Sequence, residues 1–511
     1  MDYDGLMKMA ARLNRGVRSI VVGPYSTIVA AGLLLRFLLM PFSIGPDITF
    51  HTWLGNLVAQ GHIDIYQYCF RFIQCPFTLN QPSYVPFPPL FYLIDGLYLT
   101  ILRFFHILTF LGTWQITNLN GYPTQNRLFF FMKALYIPFD LLGLMAFIKS
   151  LPPNLRKLGA WSWLFNPTSI YVSYVWGQTD IMVASFVMIA AYFANRFSLK
   201  NNVGDGLASS VALGISASFK LFPLAILPVL SLFLSRRVRK KFFLFLAAGL
   251  SPFLLMIPFL SNPFLQMIIP NADYLTARSL TAFGLPQFTI YIAIAVYLAI
   301  LYYLYLQETD FSYANLLFYS LAIFTILYGL VVWLPNWLLW ATPLALATIL
   351  DRHRLLCVYS VLTLFYFVYV QAWGNAIWLG MFYPISESFF AFPNLANVIP
   401  THFAFVVGLA YTTIGVSLAT ITFFSLKAPR NSRPKPSWSE WPALLLIPII
   451  LALVTWALVS HSRLDIMAAM SRAISADVPF FTFYFSALLA ILAWLTITTI
   501  QGRIKHIGVE L

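Results

Sequence analysis

Charged side chains are scarce in this sequence, making up only 9% of its 511 residues, while 60% are hydrophobic. A soluble domain carries roughly 25% charged residues, so the composition excludes a water-soluble globular protein. Apolar runs of about 20 residues, the length that spans a bilayer, recur from Thr27 to Ile500 with no long polar stretch between them. The sequence therefore predicts one polytopic membrane domain of α-helices, residues 1–511.

Cysteines and grouped metal ligands are also scarce. Three cysteines support neither a disulfide framework nor a zinc site, although a local disulfide between Cys69 and Cys75, which share one loop, stays open. His51, His62 and His402 are scattered, without the H-x-x-x-H spacing of a metal site. No cofactor is predicted, and a requirement for a divalent metal stays open.

Acidic residues are outnumbered: 17 aspartates and glutamates face 31 lysines and arginines, a net charge of +14. In a membrane protein such an excess lies mainly in cytoplasmic loops, where it sets the orientation and contacts anionic lipid. No arginine–aromatic nucleic-acid motif accompanies it, so nucleic acid is not a predicted partner. Residues 1–18 are basic and carry no cleavable signal pattern. The first helix is therefore expected to start in the cytoplasm.

The same charge rule decides the topology. Residues 44–126 are predicted to form one large external loop in which 90–110 dips into the membrane, because one more crossing would move most of the later basic residues outside. The cytoplasm then holds both termini and the basic, proline-rich linker 427–440. Apolar runs predict about 14 transmembrane helices, some short and paired. They lie near 20–43, 127–149, 159–176, 178–195, 206–219, 221–234, 241–260, 286–306, 311–333, 337–350, 355–373, 401–425, 441–460 and 480–500.

Two polar features interrupt these apolar runs. The break Trp176-Gly177-Gln178-Thr179-Asp180 must face water, protein or a ligand, because lipid satisfies neither its amide nor its carboxylate. Lys220 stands where the apolar segments 206–219 and 221–234 meet, and the prolines after it disfavour one continuous helix. Two half-helices of about 21 Å do not cross a hydrocarbon core of about 30 Å. We therefore expect Lys220 in a cavity open to the outer side.

With this topology several polar residues fall at external helix ends or in external loops: Asp47, Gln178, Asp180, Lys220, Arg278 and Asn336. Short motifs accompany them in order: Asp47 followed by Trp53, Tyr84 to Leu90 as Y-x-P-x-P-P-L, Asn166-Pro167 before Trp176 to Asp180, Phe219-Lys220-Leu221-Phe222-Pro223, and Leu334-Pro335-Asn336-Trp337. Over about residues 20–350 this order resembles the C-type glycosyltransferases (GT-C), polytopic enzymes that use a lipid-phosphate-linked sugar donor on the lumenal or periplasmic side. Residues 131–234 look most like the transferases of the first mannose in GPI-anchor synthesis. The overall order also looks like the dolichyl-phosphate-glucose transferases of N-glycan assembly.

The resemblance implies an inverting hexosyltransferase in the plasma membrane or the endoplasmic reticulum. It would move mannose, which is favoured, or glucose from a polyprenyl- or dolichyl-phosphate donor to a lipid-linked or glycan acceptor. Such a reaction needs a carboxylate that takes the proton of the acceptor hydroxyl and cations where the leaving phosphate gains charge. The first-loop D-x-D of the GPI enzymes is here Asp47-Ile48-Thr49, so one carboxylate of that motif remains and no metal site is predicted.

The candidate site residues follow from these needs. Asp47 is the predicted catalytic base, with a solvated loop aspartate or a helix N-cap as the alternative. Lys220 and Arg278 are predicted to bind the donor phosphate, against a structural ion pair for Lys220 and an interfacial position for Arg278. Sugar or acceptor binding is assigned to Gln178 and Asp180, with a helix N-cap role as the alternative. It is also assigned to Trp176 and Trp53, with a membrane-interface belt as the alternative, and to Asn336 at an external corner. Arg36 and Asp140 are costly in lipid and are expected to pair inside the bundle, with partners that the sequence does not show.

Two other functions compete with the transferase. A secondary transporter or flippase for a lipid-linked or polar substrate also has many helices, a broken pair and buried charges. Against it, the sequence has no two halves of similar hydropathy, and the loop 44–126 is asymmetric. A non-catalytic subunit of a glycosylation complex is the third reading, and the presence of Asp47 argues against it.

Overall fold

The computed structural model describes residues 24–71, 87–108, 125–234, 238–268, 281–285, 288–306, 312–350, 352–374, 377–382, 384, 394–427 and 477–507. Up to residue 234 these form ten α-helices: α1 (Ser26–Leu39), α2 (Pro46–Ala59), α3 (Ile65–Arg71), α4 (Pro89–Phe104), α5 (Gln125–Ala134), α6 (Tyr136–Ser150), α7 (Arg156–Leu164), α8 (Asp180–Lys200), α9 (Val203–Phe219) and α10 (Leu227–Leu234). A helical turn (Pro167–Ser169) and a π-helix (Ile170–Trp176) link α7 to the polar break before α8.

The second half continues in the same way, with one β-hairpin. Its longer elements are α11 (Val238–Met256), α12 (Asn262–Ile268), β1 (Thr281–Leu285), β2 (Phe288–Tyr291), α13 (Ile292–Leu306), α14 (Tyr313–Leu330), α15 (Leu338–Ile349), α16 (His353–Gln371), α17 (Phe403–Lys427) and α18 (Val478–Ile507). Short helical turns lie at Met40–Phe42, Pro153–Leu155, Phe222–Ile226, Ile257–Phe259, Pro335–Trp337, Leu379–Phe382, Leu395–Val398 and Pro400–His402. The predicted helical architecture is confirmed, except that β1 and β2 form an antiparallel pair.

Several of these helices have the length and composition of membrane spans. Four qualify by themselves: Gln125–Ser150, Asp180–Lys200, Tyr313–Leu330 and Pro400–Phe424. A fifth is added if α1 and α2, which meet at a bend of 84°, count as one broken span. The protein is thus built around apolar helices of membrane-spanning length, whereas the 14 crossings and their orientation stay predictions. The linker 427–440 falls beyond Lys427 outside the described residues.

Helices α8 and α9 form an antiparallel pair that brings the start of one beside the end of the other. Helix α9 reads VGDGLASSVALGISASF, and its small residues let two helices pack closely. Ser216 donates its hydroxyl to the Val183 carbonyl at 2.9 Å, and Ser209 donates to the Ala190 carbonyl at 2.7 Å. The helix ends at Phe219, and Lys220 has extended backbone angles. The predicted break at Lys220 is confirmed.

Helices α2 and α4 pack lengthwise through two glycines. A Cβ on Gly55 would lie 2.8 Å from the Asp95 Cβ, and one on Gly96 would lie 2.4 Å from Val58. Such distances leave no room for a side chain at either glycine. The close packing holds α2, which carries Asp47 in its first turn, against α4.

Arg36 and Asp140 pair with each other inside the bundle, as the cost of a bare charge in lipid requires. The Arg36 Nε lies 2.8 Å from Asp140, and both side chains are almost fully buried. Asp140 also accepts hydrogen bonds from the Trp163 indole at 2.6 Å and from the Tyr174 hydroxyl at 2.8 Å. This network ties α1, α6 and α7 to the π-helix that precedes the polar break.

Replacing Asp140 by leucine should lower the free energy of unfolding by about 3–5 kcal/mol, because it leaves the Arg36 charge buried without a counter-ion. Reversible unfolding of the purified protein in mixed micelles measures this. The double variant Arg36→Met/Asp140→Leu removes both charges and should recover much of the loss. Equal stability of the single variant and the wild type would contradict a buried ion pair.

Candidate functional site

The Asp180 carboxylate is the centre of a buried cluster of polar side chains. Asp180 is the first residue of α8 and is fully buried. Its two oxygens lie 2.8 and 3.0 Å from the Lys220 Nζ. The Asn336 amide donates to it at 3.0 Å, and the Trp340 indole donates at 2.5 Å. One carboxylate therefore joins the start of α8, the end of α9 and the corner that leads into α15.

Lys220 is enclosed by this carboxylate and by aromatic rings. The residue is 5% exposed, so it does not face the predicted open cavity among the described residues. Its ammonium lies 5.1 Å from the centre of the Phe87 ring and 5.8 Å from that of Trp340, within the range of a cation–π contact. A lysine has three N–H donors, and the two contacts with Asp180 leave one of them for another acceptor.

Asp47 forms a second polar group next to the first. It lies in the first turn of α2 and is half-buried. Its Oδ2 accepts hydrogen bonds from the Trp176 indole at 3.0 Å and from the Gln178 amide. No donor among the described residues is recorded for Oδ1. The N-cap alternative for Asp47 is wrong, since the cap position is Gly45 and no side chain caps this helix.

The two groups belong to one site. Trp176 and Gln178 bind Asp47 from the same five-residue break whose last member, Asp180, binds Lys220. The Lys220 ammonium also attracts the Asp47 carboxylate electrostatically, while Asp180 repels it. The convergence of Asp47 and Lys220 predicted from the sequence is therefore present in the structure.

Two glycines allow the chain segments to approach one another here. Gly177 has φ +85°, a left-handed conformation that favours glycine. Its carbonyl accepts a hydrogen bond from the Tyr136 hydroxyl at 2.8 Å. A Cβ on Gly45 would lie 2.1 Å from the Trp176 ring. Larger residues at either position would separate Asp47 from its donors.

Lys133, which the sequence analysis did not single out, connects the segment before Asp47 with the segment before Trp176. Its fully buried ammonium donates to the Ser43 carbonyl, to the Ser43 hydroxyl at 2.9 Å, to the Met40 carbonyl at 3.2 Å and to the Val175 carbonyl at 3.1 Å. Met40 and Ser43 precede Asp47, and Val175 precedes Trp176. Lys133 thus fixes the bend between α1 and α2 against the end of the π-helix.

Two amides of the site keep an unused acceptor. Gln178 donates through its nitrogen to Asp47, and Asn336 donates through its nitrogen to Asp180. The side-chain oxygens of both amides are buried and have no hydrogen-bond partner among the described residues. Sugar hydroxyl groups are donors that fit such oxygens.

Among the described residues predicted for the site, Trp53 does not join this cluster. Trp53 is 2% exposed and stacks on Phe50, and no contact with Asp47 or Lys220 is recorded for it. Trp176 is also 2% exposed, so it reaches the site through its N–H and not through an open ring face. Arg278 lies outside the described residues. So do Tyr84 and Cys75, which leaves the disulfide with Cys69 open.

Trp340 and Phe87 are the aromatic members that the sequence analysis missed. A signal was present for each: Trp340 follows Trp337 by three residues, one helical turn beyond the polar corner, and Phe87 lies inside the proline-rich motif. The Trp337 and Trp340 rings stack at 5.4 Å, and Phe222 packs on both. Neither motif shows by itself that these rings surround a lysine.

Comparison with known proteins adds no family assignment. No protein-family model matches the chain, and a search of curated proteins found no match either.

Replacing Lys133 by methionine should destabilise the protein by about 2–3 kcal/mol, because buried carbonyl groups lose their hydrogen-bond donor. Unfolding in mixed micelles measures the change. The control is Lys149→Met on α6, where the lysine is exposed and we expect a change within about 0.5 kcal/mol. Similar small effects of both substitutions would show that Lys133 does not hold the two segments together.

Proposed function

We propose that this protein is an inverting GT-C-type glycosyltransferase. It moves a hexose, mannose in preference to glucose, from a polyprenyl- or dolichyl-phosphate donor to a lipid-linked or glycan acceptor. The observation that supports this most directly is the position of Asp47, half-buried and held by two neutral donors beside the Lys220 ammonium. An apolar protein that keeps a carboxylate and a cation together has the two charges that this transfer needs.

Asp47 is the general base in this proposal. Both of its hydrogen bonds fall on Oδ2, so Oδ1 takes the proton of the acceptor hydroxyl while the hydroxyl oxygen attacks the anomeric carbon. The bond from that carbon to the phosphate oxygen breaks at the same time, and the polyprenyl phosphate leaves with its electron pair. Trp176 and Gln178 orient the carboxylate during the transfer.

Lys220 stabilises the phosphate as it gains charge. Its remaining N–H donor points to a role beyond the ion pair with Asp180, which keeps the ammonium charged and in place. Arg278 stays a second predicted phosphate ligand. The unused oxygens of Gln178 and Asn336 accept hydrogen bonds from sugar hydroxyls. With Asp180 saturated by its three partners, we assign it a positioning role instead of sugar contact.

The orientation belongs to the same proposal. Basic residues place both termini in the cytoplasm, so the site at the start of α8 and the end of α9 lies on the external or lumenal side. The donor reaches it from the membrane. No step of the transfer requires a metal.

Asp47→Asn should abolish transfer, lowering turnover at least about a hundredfold, because an amide takes up no proton. The assay incubates the purified protein with polyprenyl-phosphate mannose and polyprenyl-phosphate glucose in parallel, with candidate acceptor lipids. Asp64→Asn is the matched control, since that carboxylate accepts the Gln67 N–H at 3.1 Å and is not assigned to the site. Transfer by Asp47→Asn close to the wild-type rate would refute the base, and no transfer from either donor by the wild type would refute the function.

Lys220→Met should raise the KM for the donor about tenfold or more, because a hydrogen bond to a charged group is lost. It also leaves Asp180 without a counter-ion, so stability falls as well. The double variant Lys220→Met/Asp180→Asn separates the two effects, since it removes both charges. We expect this variant to regain stability while its donor KM stays high. Recovery of a normal donor KM would mean that Lys220 serves only the ion pair.

A further inference from the structure

His51 is a buried histidine whose ring has no hydrogen-bond partner among the residues that the structure describes. It is 1% exposed, and neither ring nitrogen is bonded within the described part of the chain. Its neighbours are aromatic: the ring centre lies 4.6 Å from that of Phe91 and 5.8 Å from that of Phe87. Phenylalanine or leucine would fill such surroundings without burying polar atoms.

A polar group buried without a partner lowers stability. Groups of this kind are uncommon in native proteins and need an explanation such as a functional role. For His51 the explanation lies in the direction of its side chain, because two observations place it against the site.

The first observation is helical spacing. His51 follows Asp47 by four residues on α2, and residues so spaced lie on the same face of a helix. The face of α2 that presents the proposed base therefore presents this imidazole one turn further on.

The second observation is the common neighbourhood of His51 and Lys220. The Lys220 ammonium acts electrostatically on the His51 ring. Phe87 contacts both, with the ammonium over its face and the imidazole packed against its ring. His51 thus shares the Phe87 ring with the cation that we assign to the donor phosphate.

We propose that His51 is a donor-binding residue whose ring N–H donates a hydrogen bond to a phosphate oxygen of the polyprenyl-phosphate sugar. This inference rests on the proposed function and adds a ligand for the leaving group. An imidazole carries at least one N–H in either protonation state, so the contact needs no particular charge on His51. Lys220 and His51, which both contact Phe87, then both bind the phosphate.

The test measures binding of polyprenyl phosphate and of the sugar-bearing donor to the full-length protein in phosphatidylcholine nanodiscs. His51→Phe keeps a ring but has no donor, and we expect it to weaken both affinities about tenfold, equivalent to about 1.4 kcal/mol. Its melting temperature without lipid should equal or exceed that of the wild type, because an unpaired polar group is removed. His51→Gln restores a donor and should recover part of the affinity. The control is His62→Phe, at an exposed position just after α2. It should bind both lipids as tightly as the wild type does.

The other outcomes overturn the inference in distinguishable ways. Unchanged binding by His51→Phe would show that the ring does not contact the lipid. Loss of affinity for the sugar-bearing donor alone would rule out the phosphate contact. A fall in melting temperature without recovery by His51→Gln would mean a structural role. If the wild type bound neither lipid, the proposed function itself would fail.

Discussion

The hydrogen-bonded ion pair between Asp180 and Lys220 is the interaction on which the centre of this protein depends. A carboxylate at 0% exposure is costly unless its charge and its lone pairs are satisfied. Lys220, Asn336 and Trp340 satisfy it from segments 40, 156 and 160 residues away along the chain. Because each donor must reach the same two oxygens, the end of α9 and the start of α15 are fixed against the start of α8.

The aspartates inside the protein differ in how many hydrogen-bond donors their carboxylates have. Asp140 receives Arg36, Trp163 and Tyr174, and Asp180 receives Lys220, Asn336 and Trp340. Asp47 differs from both, since its two neutral donors fall on one oxygen. Asp95, 1% exposed, has no hydrogen-bond partner for either oxygen among the described residues. Saturated carboxylates hold helices together, whereas one with an unused oxygen can still accept a proton. An unused oxygen together with the contacts to Trp176 and Gln178 in the polar break supports the assignment of Asp47 as the base.

Much of the fold could be predicted from local sequence. The break at Lys220 and the polar interruption between Trp176 and Asp180 were both recognised from proline, glycine and polar residues inside apolar runs. The partners of charged residues were not. Lys133 was overlooked because its four oxygen ligands, from Met40, Ser43 and Val175, are mostly backbone carbonyls, and no sequence pattern marks a carbonyl as a ligand. The cavity expected around Lys220 was wrong for a related reason, since its counter-ion comes from another helix.

By itself, the sequence determined that the chain is a helical membrane protein and that Asp47, Gln178, Asp180, Lys220 and Asn336 are polar where lipid would reject them. Both results follow from composition and from patterns of apolar and polar residues over short stretches, which are properties of the local sequence. Only the tertiary structure decided that Asp180 takes Lys220 as its partner, that Trp176 binds Asp47, and that His51 has no partner within the described part of the chain. These pairs join segments that lie up to 160 residues apart along the chain. Helix packing, not local sequence, brings such segments close together in space.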